Sequence, residues 1–329
     1  MNIKKIPYPD GDRLLDKDSN EFKGSVGKGK DTKVPTPQQV MQKNKDVEIV
    51  LKTSHIETQH KKFASISKEP VLVGDKEIAL KNEIFRTIVG SELTGLAIPG
   101  RGDRDEMGIY IELPEQVLGL APTSEHYISR SVAQGERSNP GDTDLTIYSL
   151  RKYLALSMAG NPTVVTILFA PKESILINNE LGEELISLTP SIISRKSGWK
   201  HLGYLDSQRK RMMGIEQQGK VPKRPELVDE YGYDVKFASH ALRLGLQGIE
   251  LMTTGGLILP LTPDNRKQCL DIKMGKVSFE DAVIQIDEVR ARLFSIMDSG
   301  KINVPDEPDY DKINAWMVNA QLRHWEILS

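Results

Sequence analysis

Val89-Gly90-Ser91-Glu92-Leu93-Thr94-Gly95-Leu96-Ala97-Ile98-Pro99-Gly100-Arg101-Gly102-Asp103-Arg104-Asp105-Glu106-Met107-Gly108-Ile109-Tyr110-Ile111-Glu112 is the stretch whose reading decides the fold. An apolar run, Ile88-Val89, stops at Gly90-Ser91, and a glycine-rich loop follows. Two carboxylates one residue apart, Asp103 and Asp105, then stand at the mouth of a second apolar run, Met107 to Ile111. In strand geometry residues i and i+2 point to one face. Asp103 and Asp105 therefore converge, and two convergent carboxylates suit a hard divalent cation such as Mg²⁺. Gly90-Ser91 offers backbone N–H groups and a hydroxyl to a phosphate, with little side chain in the way. The plainer alternative is a solvated turn carrying two aspartates. The order strand, Gly-Ser, eleven residues, Asp-x-Asp, strand favours a site for a nucleotide and its metal.

Composition bounds the setting. The chain has 329 residues, 38% hydrophobic and 27% charged, enough for two domains of a polar, soluble protein. No apolar run approaches the length of a membrane span. The N-terminus, Met1-Asn2-Ile3-Lys4-Lys5, lacks the apolar core of a secretory signal. Cys269 is the only cysteine, which excludes an intramolecular disulfide and a cysteine-rich zinc site. A cytoplasmic location is the expectation, with no membrane partner. The six histidines show no paired metal spacing. Net charge is −2, but residues 1–70 hold 14 Lys/Arg against 10 Asp/Glu. Residues 195–224 hold nine basic residues against Asp206 and Glu216. Such a local basic surface attracts a triphosphate or a nucleic-acid backbone. A solvated helix face explains it equally well.

Along the chain, residues 1–37 are polar and aperiodic and read as a flexible arm, and the arm with its linker extends to residue 70. Gly24-Ser25-Val26-Gly27-Lys28-Gly29-Lys30-Asp31 nearly matches a phosphate-binding P-loop. That motif demands Ser or Thr where Asp31 stands and a strand before it, so it is rejected. Gln38 to Leu51 is weakly helical. From residue 71 the sequence turns globular. The spacing predicts a helix over Lys76–Thr87 running into a short strand that ends at Val89. A strand is expected over Met107–Glu112, then loop over 113–141, from which Arg130 and Arg137 are in reach of phosphates. Asp142 to Tyr148 alternates polar and apolar residues and reads as a half-buried strand, with Asp144, Thr146 and Tyr148 on one face. Asn161-Pro162 suits a helix start.

Beyond Pro171 the sequence is mostly helical. Tyr204, Gln208 and Arg211 share a helix face, as do Lys236, His240 and Arg243 on a later helix. Three cationic or potentially cationic groups in a row repel one another unless an anion or solvent relieves them. Ser278 and Asp281 cap a helix whose Val283, Ile286, Val289, Leu293 and Met297 bury one face. Asp309–Leu328 reads as a C-terminal helix, either docked or presenting Trp316 and Trp325 to a partner.

Several of these segments, taken together, resemble the polymerase β-type nucleotidyltransferase superfamily, whose signature is Gly-Ser, a spacer of this size, then Asp-x-Asp. More narrowly, Gly-Ser-x-x-x-Gly-Leu-Ala-x-Pro followed by Asp-x-Asp-x-x-Gly-Ile-Tyr is similar to the bacterial and phage branch associated with RNA-repair operons. Tyr148-Ser149-Leu150-Arg151-Lys152-Tyr153, Gly160-Asn161-Pro162, Gly203-Tyr204-x-x-Ser207-Gln208 and Tyr233-Asp234-x-Lys236-x-x-x-His240-x-x-Arg243-Leu244 continue it. The resemblance implies an α/β (α+β) fold: a small mixed-sheet nucleotidyltransferase domain over residues 71–170, then a mostly helical domain over 171–329 that closes the cleft. It implies a third carboxylate on a neighbouring strand, for which Asp144 is the candidate and Asp142 the fallback. Asp103, Asp105 and Asp144 would be catalytic and would hold Mg²⁺, or Mn²⁺ in its place. Gly90, Ser91, Tyr204, Gln208, Lys236, His240 and Arg243 would bind the nucleotide.

The implied activity is transfer of a nucleoside monophosphate from an NTP to an acceptor hydroxyl, foremost an RNA end. Two other readings stand beside it. One is a nucleotide- or RNA-binding protein with weak or no catalysis; the other is transfer to a protein or small-molecule acceptor. Departures from the pattern feed the first of these. Gly102 stands where the closer family has Ser, and Arg104 places a positive charge between the two acids. The sequence leaves the choice of NTP and the oligomeric state open.

Overall fold

The computed structural model describes residues 71–100, 103–131, 141–213 and 224–328. The expected N-terminal arm, the Gln38–Leu51 helix, the P-loop-like segment, Arg137, Lys220 and Lys223 lie outside these residues. The described residues fall within one compact unit.

A six-stranded mixed sheet carries the acids. Its strands are β1 (Val71–Val73), β2 (Glu83–Ile88), β3 (Arg104–Tyr110), β4 (His126–Arg130), β5 (Thr143–Ser149) and β6 (Ile175–Asn178). They lie in the order β1-β4-β5-β3-β2-β6. Only the central pair, β3 and β5, is parallel; the other neighbours run antiparallel. A parallel pair needs a crossover. Here α3 (Pro114–Val117) and β4 supply part of it. The edge strand β6 follows the catalytic-domain boundary expected at residue 170 and pairs with β2.

The sheet separates two apolar layers because side chains alternate along each strand. On one face α1 (Lys76–Lys81) packs Ala79 against Tyr110, Tyr127 and Ile147. On the other, Met107, Ile109 and Ile111 join a large core with α4 (Leu150–Met158), α5 (Pro162–Val165), α6 (Glu180–Ser187) and α7 (Thr189–Ile192). The long helices complete that layer: α8 (Arg195–Met212), α10 (Val235–Thr254), α12 (Phe279–Ser299) and α13 (Tyr310–Leu328). α9 (Pro225–Tyr231) and α11 (Pro263–Lys273) flank α10 and help build a second apolar cluster around Leu205, Ala241 and Ile286. The mixed α+β architecture is thus the one expected, with a mixed sheet followed by helices.

Local chemistry explains the element ends. Asn161 accepts from Thr163 N–H at 3.0 Å and Pro162 occupies the first turn of α5, as anticipated. Ser278 caps α12 through Asp281 N–H at 3.1 Å, and Ile286, Leu293 and Met297 are buried. Asp234 caps α10 by accepting from the N–H groups of Lys236 and Phe237, both at 3.1 Å.

Three expectations change. The helix predicted over Lys76–Thr87 ends at Lys81, and Glu83–Ile88 is strand. Ile84 and Phe85 are both fully buried between layers, so tertiary burial overrides helical spacing. β3 starts at Arg104 rather than Met107 because Arg104 N–H bonds to Asp142 O at 2.9 Å in the ladder with β5. Residues 113–141 are not all loop: they contain α3 and β4, whose pattern is short and interrupted. The C-terminal tryptophans are docked. Trp316 Nε1 donates to Glu184 at 2.8 Å and Trp325 Nε1 to Glu112 O at 2.8 Å. Among the described residues no helix is long and apolar enough to cross a membrane.

Ile109 lies at the centre of the sheet with no exposed surface. Ile109→Ala is expected to cost about 2–5 kcal/mol of stability through lost burial and a residual cavity, read by urea denaturation.

Candidate active site

The parallel register of β3 and β5 places Asp105 directly opposite Asp144. Parallel neighbours in register point the same way, so the two carboxylates share the helix-facing side with Met107 and Tyr148. Asp103 enters just ahead of β3. One oxygen from each of Asp103, Asp105 and Asp144 lies within 4.8 Å of the others, and all three residues are half-buried. Asp142, the fallback, stays outside this group.

The Gly90-Ser91 turn is built against the same cluster. Val89 N–H donates to Asp105 O at 2.9 Å, which ties the end of β2 to the acid strand. The chain then enters α2 (Gly90–Leu93), and Thr94 Oγ1 donates to Gly90 O at 3.0 Å. Gly90 has φ +67, a left-handed conformation that costs an L-residue about 1–2 kcal/mol. A Cβ there would also land on the Asp105 carboxylate. Glycine is required twice over: by the turn and by the acid beneath it.

Negative charge is crowded within the cluster. Asp105 is pushed up to about 6, first by burial, then by the Asp103 and Asp144 charges, with Arg130 opposing. Arg130 Nε pairs with Asp144 Oδ2 at 3.0 Å across the β4–β5 ladder. Arg104, suspected from sequence of disturbing the acids, instead pairs with Glu106 at 2.9 Å. Alternation along β3 puts Arg104 and Glu106 on the face opposite Asp105.

Two chambers meet at this point. The first, about 460 Å³, is lined by Asp105, Asp144, Arg130, Thr146, Thr163 and Thr166 among others. The second, about 520 Å³, is lined by Gly90, Ser91, Asp103, Asp105, Lys236 and Lys273 among others. Gly90, Thr94, Asp105, His240 and Arg243 border both. Asp144 thus faces one chamber, Asp103 the other, and Asp105 stands between them.

The α10 stripe forms the opposite wall, with one change in its electrostatics. His240 is pulled down to about 3 by burial and then by Arg243, Arg211 and Arg224. It is neutral at physiological pH, which relieves part of the repulsion expected along Lys236, His240 and Arg243. Burial also pulls the Arg243 guanidinium down, and its Nη1 donates to Gln247 Oε1 at 2.7 Å. Tyr204 and Gln208 take a different place. Tyr204 packs against the second apolar cluster and Gln208 is buried on α8, and neither borders the two chambers.

Two basic residues at the second chamber carried no motif. Arg224 lies over the Phe237 ring at 4.8 Å and pairs with Asp234 at 3.2 Å. Lys273, at the end of α11, donates to Leu96 O at 2.6 Å. No helical spacing connects either residue to the Lys236 stripe, so only the fold brings them there.

The three acids fit a divalent cation. They offer hard oxygen donors in mutual reach, and the neighbouring Asp103 and Asp144 charges add to burial in raising Asp105. The sign of the pH effect follows. A fold that raises Asp105 from 3.8 to about 6 favours its protonated form. That contribution to stability is complete below the unfolded value and is lost as pH rises through about 6. Cation binding requires the ionised carboxylates, so affinity for Mn²⁺ should weaken below about pH 6, by up to about tenfold per pH unit. Calorimetric titration at about pH 5 and about pH 7.5 reads this. Gly90→Ala is expected to abolish cation binding while leaving the far-ultraviolet circular dichroism unchanged.

No curated protein matches the chain. Among solved structures it is similar to a nucleotidyltransferase-like protein from Exiguobacterium sibiricum 255-15, at 13% sequence identity and a TM-score of 0.27, over 68% of this chain and 71% of that one. A family model described as RNA repair pathway DNA polymerase beta family matches residues 55–319. The match takes in the Gly90-Ser91 turn, the three converging acids and the cationic wall opposite them, and on that span the chain belongs to the RNA repair pathway DNA polymerase beta family.

Proposed function

We propose that the protein transfers a nucleoside monophosphate from an NTP to an acceptor hydroxyl, with an RNA end as the acceptor. The observation that carries this reading is the position of Asp105 between two chambers, one faced by Asp103 and the other by Asp144. A transferase needs two substrates to meet at one reacting phosphorus, and a shared carboxylate cluster between two compartments answers that need.

The second chamber takes the nucleotide. Gly90 and Ser91 hold its phosphates through backbone N–H groups and the Ser91 hydroxyl. Lys236 and Arg243 offset negative charge as it builds on the departing phosphates. His240, being neutral, donates or accepts a hydrogen bond there without adding charge. The first chamber takes the acceptor, whose hydroxyl faces Asp144. Asp103, Asp105 and Asp144 would hold Mg²⁺ or Mn²⁺, which when bound would supply Lewis-acid stabilisation of charge on the reacting phosphate. The acceptor oxygen forms its bond to the α-phosphorus as the bond between the α- and β-phosphates breaks. Pyrophosphate leaves with that electron pair, and the hydroxyl proton passes to a carboxylate of the cluster or to water. Tyr204 and Gln208 act from behind the wall, by packing.

An RNA acceptor is supported by the description of the family and by the basic residues of segment 195–224. Affinity for RNA should then fall steeply with salt.

Asp105→Asn keeps the shape of the side chain and removes its charge. It should abolish transfer of labelled NMP to RNA in the presence of Mg²⁺, with circular dichroism unchanged. Turnover retained by this variant would overturn the assignment.

A further inference from the structure

Three consecutive carbonyls of the loop after the Gly90-Ser91 turn are all held from the helical layer. Leu261 N–H donates to Thr94 O at 3.2 Å, Arg266 Nε to Gly95 O at 2.6 Å, and Lys273 Nζ to Leu96 O at 2.6 Å. Of these donors, Lys273 borders the second chamber, which Ser91 and Asp103 also line. An ammonium has three N–H donors, and Leu96 O takes one.

Lys273 stands close to other cations. Burial, then Lys236 and Arg243, pull its ammonium down to about 8. Among the described residues no carboxylate pairs with Lys273 or with Arg243. Asp271, near the end of α11, is engaged by Lys267 at 2.6 Å and Lys276 at 3.2 Å, and Glu230 borders the same chamber. Cations gathered about one cavity repel one another, and an anion bound among them relieves that repulsion. Lys236, Arg243 and Lys273 come from two helices and face one cavity, so the fitting anion carries several charges along a flexible chain.

We propose that Lys273 completes a binding site for linked phosphates, and that it couples occupancy of this site to the position of the Gly90–Leu96 loop. One N–H of the ammonium keeps the Leu96 carbonyl while the others reach a phosphate. A ligand with two or more linked phosphates is thereby distinguished from a monophosphate. The proposal rests on the assignment of this chamber to the nucleotide, and gives that assignment a residue outside every sequence motif.

The test is calorimetric titration of the full chain with tripolyphosphate and, separately, with AMP, without divalent cation or acceptor. Lys273→Met should weaken tripolyphosphate binding by about tenfold or more and leave AMP within about twofold, since one charge-assisted contact is removed. Lys273→Arg should retain most of the tripolyphosphate affinity. Amide hydrogen exchange supplies the coupling: tripolyphosphate should slow exchange across residues 90–96 in the unmodified chain and not in Lys273→Met. Tripolyphosphate binding that is unchanged in Lys273→Met, or weakened equally with AMP, overturns the proposal. So does loop protection that persists in that variant. A chain that binds tripolyphosphate through Lys273 yet never transfers a nucleotide overturns the transferase reading alone.

Discussion

Asp105 is held where it is electrostatically disfavoured, and the rest of the site is arranged around that fact. The parallel β3–β5 register sets Asp144 opposite it. The turn at Gly90 closes over it, at a position where any Cβ would strike the carboxylate. The Val89 N–H bond to Asp105 O fixes the distance between turn and strand. Burial and two neighbouring acids raise the group to about 6. A structure that tolerates such crowding has its stability supplied elsewhere, here by the continuous apolar core beneath the sheet. What the crowding creates is a ready place for positive charge.

The opposite wall shows the complementary imbalance. Lys236 and Arg243 on α10 and Lys273 on α11 face the acids across the second chamber, with Arg224 stacked on Phe237 beside them. Neutral His240 lets these cations crowd without a further charge. The sheet side of the chamber carries Asp103 and Asp105, and the helical side carries these bases together with Glu230, a layout suited to a ligand that combines phosphate with a cation. The two walls are kept in register because one apolar core contains Met107 and Ile109 from the sheet together with Met252, Leu293 and Ala320 from the long helices.

Arg104 illustrates how a single period decides meaning. Read along the chain, it stands between two acids and threatens them. Once β3 is placed, alternation turns it to the far face, where Glu106 takes its charge. Tyr204 and Gln208 show the reverse. Helical spacing correctly puts them on one face of α8, yet that face packs into the interior rather than onto a chamber. Spacing along one element states which residues share a face; it does not state what that face meets.

Much of the fold was legible in residue order because it depends on local rules. Asn161-Pro162 starts a helix, Ser278 caps another, and the alternation from Asp142 to Tyr148 marks a strand, each for reasons contained within a few residues. The Gly-Ser turn and the Asp103/Asp105 pair were legible for the same reason: a turn and a two-residue repeat are local. The strand at Glu83–Ile88 was hidden, because its residues are buried on both faces and burial is a property of neighbours. The convergence of Asp144 on Asp105 was suggested by resemblance, but the register that produces it is a pairing between strands 39 residues apart in numbering. Lys273 had no sequence signal at all. Its position at the chamber depends on α11 packing back over the Thr94–Leu96 loop, a contact spanning 177 residues. Residue order by itself determined the turn, the acid pair and the helix ends. Tertiary structure alone decided which charges face each other, because electrostatic energy depends on separation in space and on burial.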